Sequence, residues 1–167
     1  MFESKRFNHP GTRGLNTERK ETVATEKEIN ELLEVAEAAG LDGLDWLRSL
    51  GITTICEGYN GIGPEFLKPE VRAMVSQYLA PFAPAAVVHD LRNHFGDGTR
   101  EKFLLANDEF RRNCLKLAHY HYKQDPQKLS LALAAAEVLY LCVSADAFGW
   151  RAWLEASEEA RKAGRVA

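Results

Sequence analysis

Hydrophobic positions along this chain recur mostly at helical intervals. Ile29, Leu32, Leu33, Ala36 and Ala39 stand three and four residues apart, the spacing that gathers side chains on one helix face. Thr25 precedes Glu28 by three residues, a capping-box spacing, and Gly40 supplies the stop. A short helix is predicted over 42–50, burying Leu44, Trp46 or Leu47, and Leu50. Ile52 to Cys56 is β-branched and reads as a short strand or extended crossing. The stretch Glu57 to Pro64 holds Gly58, Gly61 and Gly63 and is the richest loop signal in the chain. Pro69 is placed to open a helix to about Leu79, and Pro84 the next, to about Phe95. Gly96-Asp97-Gly98 makes a tight turn, and Thr99 caps a long helix to about Lys123. Asp125-Pro126 starts another through about Phe148, and Trp150 to Ala163 forms an amphipathic last helix. The expected fold class is therefore all-α: about six helices, a central antiparallel helical hairpin, and one short extended segment.

The longest apolar run, Leu129 to Ala147, is broken by Ser130, Glu137, Ser144 and Asp146. A lipid-spanning helix needs about 20 predominantly apolar residues and disfavours a mid-span carboxylate. A central core helix is expected instead, with no transmembrane segment. Residues 1–24 form a polar arm, with Lys5, Arg6, Arg13, Arg19 and Lys20 scattered among Pro10, Gly11 and Gly14. The arm is either disordered or laid over a partner subunit. It has no apolar run of signal-peptide length. Residues 25–167 are expected as a single helical domain in the cytoplasm. A homo-oligomer would form through the arm or the C-terminal helices.

Composition narrows the classes without selecting an activity. The 167 residues are 46% hydrophobic and 27% charged, as in ordinary soluble domains. Twenty-one Lys and Arg against 24 Asp and Glu leave a net charge of −3, which argues against a nucleic-acid partner. Cys56, Cys114 and Cys142 fit neither a disulfide framework nor a zinc pattern and read as buried free thiols.

The candidate chemistry lies around Gly96. If residues 95–99 turn a hairpin, His89 faces positions near 105–108. The following helix carries an apolar stripe of Phe103, Ala106, Phe110, Cys114, Leu117 and His121. Asn107 lies on the edge of that stripe, whereas Asp108 points about 100° further round. Asn107 is thus the expected buried partner of His89, and Asp108 the expected solvent residue. On the first helix Val87, Val88, Leu91 and Phe95 share one face, and His89 lies away from it. A solvated face of His89, Arg92 and Asn93 is the plain expectation.

The run Phe82-Ala83-Pro84-Ala85-Ala86-Val87-Val88-His89-Asp90, followed by Arg92, Asn93, Phe110 and Cys114, resembles the prokaryotic-type phospholipases A2. It is also similar to small phage-encoded proteins of unknown function. The resemblance covers roughly residues 57–118. It implies that His89 acts as general base on a water attacking an ester carbonyl. It further implies calcium held by Asp90, Asn60 and carbonyl oxygens near Gly61 and Gly63. A second-helix acidic group would orient the imidazole; Asn107 stands at that position, and a one-residue shift recovers Asp108. Tyr59, Arg92 and Asn93 would contact a lipid or other ester substrate. Cys56 and Cys114 would be the remnant of a disulfide.

Two departures bear on that chemistry. Asn107 can orient an imidazole but brings no charge to stabilise imidazolium. The Gly-rich loop contains no Asp, leaving Asn60, Glu57 and Glu65 as side-chain oxygens. Two functions therefore stand side by side. The first is a phage- or prophage-type structural or interaction protein; the second is a calcium-dependent ester hydrolase. Other constellations are weaker. A metal phosphohydrolase would need an upstream histidine, and only His9 precedes the doublet. His119 and His121, two apart on a helix, face away from each other and read as surface or interface residues. Arg111, Arg112 and Lys116 read as a solvated basic face, and Cys114 as an inert thiol.

Overall fold

The structure is a computed structural model that describes residues 24–61 and 77–166. The arm, the helix expected from Pro69 up to residue 76, and Gly63 lie outside the described residues. Within them the chain is all-helical, with seven α-helices and no strand. In chain order these are α1 (Glu26–Ala38), α2 (Leu44–Ser49), α3 (Ile52–Gly58), α4 (Ala83–His94), α5 (Arg100–Tyr122), α6 (Pro126–Ser144) and α7 (Arg151–Lys162). A 3₁₀ turn (Ala80–Phe82) leads into α4, and a π-helical turn (Asp146–Trp150) joins α6 to α7.

The capping signals act where the sequence places them. Thr25 and Glu28 form a reciprocal capping box on α1. Thr99 accepts from the Lys102 amide at the start of α5, and Asp125 from Lys128 at the start of α6. The expected extended segment at Ile52–Cys56 is instead helix α3. Ile52, Ile55, Cys56 and Tyr59 repeat at helical spacing and pack on α1 and α4. That period outweighs the β-propensity of isoleucine and threonine. Gly58 sits so close to α4 that an added Cβ would lie 2.7 Å from Leu91.

The central helix is α4. Every residue from Phe82 to His89 is buried. Ala85 and Ala86 join a cluster with Phe110, Cys114, Leu117 and Ala136. Val87, Val88 and Leu91 join a second cluster with Ile29, Leu47 and Ile55. The small side chains of Ala83 to Ala86 let neighbouring helices close around this segment. His89 is thus buried, and the expected solvated face around it is corrected. Arg92 and Asn93 remain half-exposed.

The apolar run of α6 also differs from its expectation as a core helix. Only Ala132 and Ala136 are buried there, while Leu131, Val138 and Leu141 are exposed. α4 and α5 already fill the interior, so α6 presents its small residues inward and leaves a face over. α6 is the one helix among the described residues long and apolar enough to cross a membrane. Its Glu137 forms a bidentate bond with Arg111 of α5 at 2.7–3.0 Å. Leu47 is the buried residue of α2, and Trp46 stays half-exposed. The stripe on α5 is buried from Phe103 to Leu117, but His121 is exposed. Cys56 and Cys114 are buried free thiols, whereas Cys142 is exposed.

Candidate functional site

The polar centre of the molecule is the contact between α4 and α5. His89 Nε2 lies 2.9 Å from Asn107 Oδ1, and Asn107 Nδ2 lies 3.4 Å from the Val143 carbonyl of α6. A carbonyl only accepts, so the amide nitrogen of Asn107 must face Val143 and its oxygen must face His89. That orientation requires the proton of the neutral imidazole on Nε2. Nδ1 is then the accepting nitrogen, and the Asn93 amide reaches it at 3.4 Å, one helical turn on. The Phe110 ring packs against the imidazole at 4.7 Å between centroids.

The electrostatics agree with this arrangement. Burial pushes the His89 pKa below its ordinary value of 6.5; the Asn107 bond and the charge of Glu109 act in the opposite sense. His89 is only 9% exposed. Among the described residues no carboxylate forms an ion pair with the ring, and burial favours the neutral form. His89, Asn107 and Asn93 are therefore brought together, with Asn107 buried as its position on the stripe predicts. Asp108 points outward, where it accepts from the Tyr140 hydroxyl at 3.3 Å.

The loop side of the site is organised by Asp90. Its Oδ2 accepts the backbone N–H of Asn60 at 3.0 Å, which ties the segment around Gly61 to α4. Tyr59 is half-buried against both main clusters. Burial raises its phenol to about 12, with the charges of Asp90 and Glu28 adding to the effect. Calcium needs several hard oxygen ligands. The described part of the loop instead points a donor at Asp90. Among the described residues no group of three or more His, Cys, Asp or Glu side chains could hold a metal ion. Gly63 and the rest of the loop lie outside the described residues, so the other carbonyl oxygens expected around Asp90 are not among those described.

Arg92 is engaged on its edge and its face. Its guanidinium makes two bonds to Glu109 at 2.8 and 3.1 Å and lies 3.7 Å from the centroid of the Trp46 ring. The Glu109 side chain is 12% exposed, and Arg92 is its ion-pair partner. The pairs His89–Asn107 and Arg92–Glu109 advance together along α4 and α5, rather than in opposite directions. One antiparallel register does not account for both.

The chain matches no family model, no curated protein and no solved structure. The site must be read from its own geometry.

Two contributors escaped the sequence reading. Asn113 is fully buried, and its amide bonds both backbone groups of Asp42: Oδ1 accepts from the N–H at 2.7 Å, and Nδ2 donates to the carbonyl at 3.1 Å. Its signal was present, because Asn113 falls between Phe110 and Leu117 at spacings of three and four. Glu109 had no such signal; its surroundings include Arg92 of α4 and Gly43 from a distant part of the chain. Gly43, at φ +85°, passes so close that an added Cβ would lie 2.8 Å from Glu109 Oε1. The basic residues Arg112 and Lys116 are not a free face: both bind the Asp42 carboxylate. These two cations hold the Asp42 carboxyl below its ordinary range, with the Lys116 bond the largest cause. His119 and His121 lie exposed on α5.

Proposed function

We propose that this chain is a non-catalytic structural or interaction protein of the phage-related type that its sequence resembles. In this reading the packed pair of helices α4 and α5 is a scaffold, and His89 is its polar lock. The observation that carries the reading is the full engagement of the His89 ring. Nε2 is taken by Asn107, Nδ1 by Asn93, and one ring face by Phe110. A general base needs an accepting nitrogen within reach of a substrate-bound water. Here the accepting nitrogen faces an amide of its own helix. The fixed pairing of Arg92 with Glu109 and Trp46 also favours a structural role over substrate contact. The residues that carry the sequence resemblance then serve packing in place of a reaction.

A second reading, ester hydrolysis with calcium as a partner ion, draws on two contacts. The Asn60–Asp90 bond brings the Gly61 loop beside the His-Asp pair, as that chemistry would need. The Asn93–Nδ1 contact of 3.4 Å is long enough to yield to a water.

Titration calorimetry with calcium, run beside phospholipid hydrolysis by the wild type and His89→Ala, separates the two readings. Background turnover in both proteins and no calcium heat are expected. Calcium-dependent turnover that disappears in His89→Ala would overturn the proposal.

A further inference from the structure

A cavity of about 410 Å³ is lined by residues of α2, α4, α5 and α7 and by the turn at Gly96-Asp97. Its volume falls in the range of small-molecule sites. Trp46, Phe95, Leu105 and Ala106 supply apolar walls. Leu105 is 55% exposed and Trp46 half-exposed, so this apolar surface can be reached from solvent. Trp153 of α7, only 2% exposed, forms another wall. Its Nε1–H is buried and has no acceptor among the described residues. A buried indole N–H ordinarily finds one. Cζ2, on the same edge of the indole, would lie 3.0 Å from a Cβ added at Gly96, which also lines the cavity.

The charged groups on the walls are mostly committed. Arg92 makes two bonds to Glu109. Asp97 Oδ1 accepts from both the amide and the hydroxyl of Thr99. Arg112 is held by Asp42. Lys102 differs from these: its charge reaches Asp97 through space, with no ion-pair contact among the described residues. The walls therefore offer one buried N–H donor, one unpaired cation and an apolar surface of flat rings.

We propose that this cavity binds a small aromatic carboxylate. The carboxylate accepts the Trp153 Nε1–H and takes Lys102 as its counter-ion, while the ring lies against Trp46, Phe95 and Leu105. An indole N–H only donates, so its partner must be an acceptor. A phosphate carries more charge than a single free ammonium answers. A cationic ligand would meet Lys102 and two acids that are already bonded. Neither His89 nor its bonded neighbours take part, so the proposal stands whichever function they serve.

Calorimetry and nitrogen-15 NMR of the full chain with cinnamate test it. Saturable binding is expected, with a Kd of about 1 mM or tighter for a ligand of this size. The indole N–H resonance that is missing from Trp153→Phe should move as cinnamate is added. Lys102→Gln and Trp153→Phe should each weaken binding at least about ten-fold, with unchanged helical circular dichroism. Cinnamamide, which keeps the ring and loses the charge, should bind at least about ten-fold more weakly than cinnamate. Wild type with no saturable cinnamate binding would overturn the proposal, as would a Trp153 resonance that does not move. Equal affinity in the wild type and the exposed-site variant Lys102→Gln, or equal affinity for cinnamate and cinnamamide, would overturn it too.

Discussion

α5 and α6 lie side by side and break the usual division of polar and apolar residues in opposite directions. α5 buries two amides, Asn107 and Asn113, at 1% and 0% exposure. α6 leaves leucines and a valine in solvent. On α5 each buried amide has both its oxygen and its nitrogen bonded. That is the condition under which a polar group is tolerated in a core. On α6 no such condition applies, because an exposed apolar group leaves nothing unsatisfied. Buried amides therefore report the internal geometry, and the exposed leucines take no part in it.

Breaking an amide on α5 should have the largest effect on stability. Asn107→Leu strands the His89 Nε2–H and should cost about 2–3 kcal/mol, read from urea denaturation. Adding His89→Leu to that variant should recover about 1 kcal/mol, since removing both partners leaves no orphan donor. A double variant no better than the single one would mean that the pair is not coupled. Asn113→Ala frees both backbone groups of Asp42 and should cost about 2 kcal/mol by the same measurement.

Acid should act next, through His89. Its folded pKa is lowered from 6.5 by burial, so the unfolded chain binds the proton more readily. The stabilising contribution is complete above about pH 6.5 and falls as pH drops toward the folded value, by up to about 1.4 kcal/mol per pH unit. His94, lowered first by burial and then by the Arg165 charge, adds the same sign. Urea midpoints between pH 7.5 and 5.5 should therefore decline, and His89→Gln should flatten most of that slope. An equal decline in His89→Gln would assign the effect to other groups.

The smallest change belongs to α6. Leu131→Ser at its outer face should alter stability by no more than about 0.5 kcal/mol in urea denaturation. A loss comparable with Asn113→Ala would show that this face is covered by the chain itself.

Much of this contrast could be read from the sequence, and the parts that could not have physical reasons. The caps at Thr25, Thr99 and Asp125 act through neighbours within three residues, so local pattern sufficed. Asn107 was separable from Asp108 because a 100° step decides which of two adjacent residues joins a stripe. Ile52–Cys56 was misread as extended because β-branching is a weaker preference than packing on two neighbouring helices. α6 was misread as core because a helix apolar on all sides does not say which side is inward. His89 was expected in solvent because its burial comes from the small residues Ala83 to Ala86 and from Phe110 on another helix. Glu109 was missed for the same kind of reason: its partner Arg92 stands on another helix, and Gly43, which passes close to it, comes from far along the chain.

The central claim is that His89 is a neutral, fully engaged structural group. Nitrogen-15 NMR of the imidazole tests it most directly, because both ring nitrogens report tautomer and protonation. The Nε2–H tautomer should hold from pH 8 down past 6.5, with protonation only below that value. An imidazole that titrates at or above 6.5, or that carries its proton on Nδ1, would contradict the account.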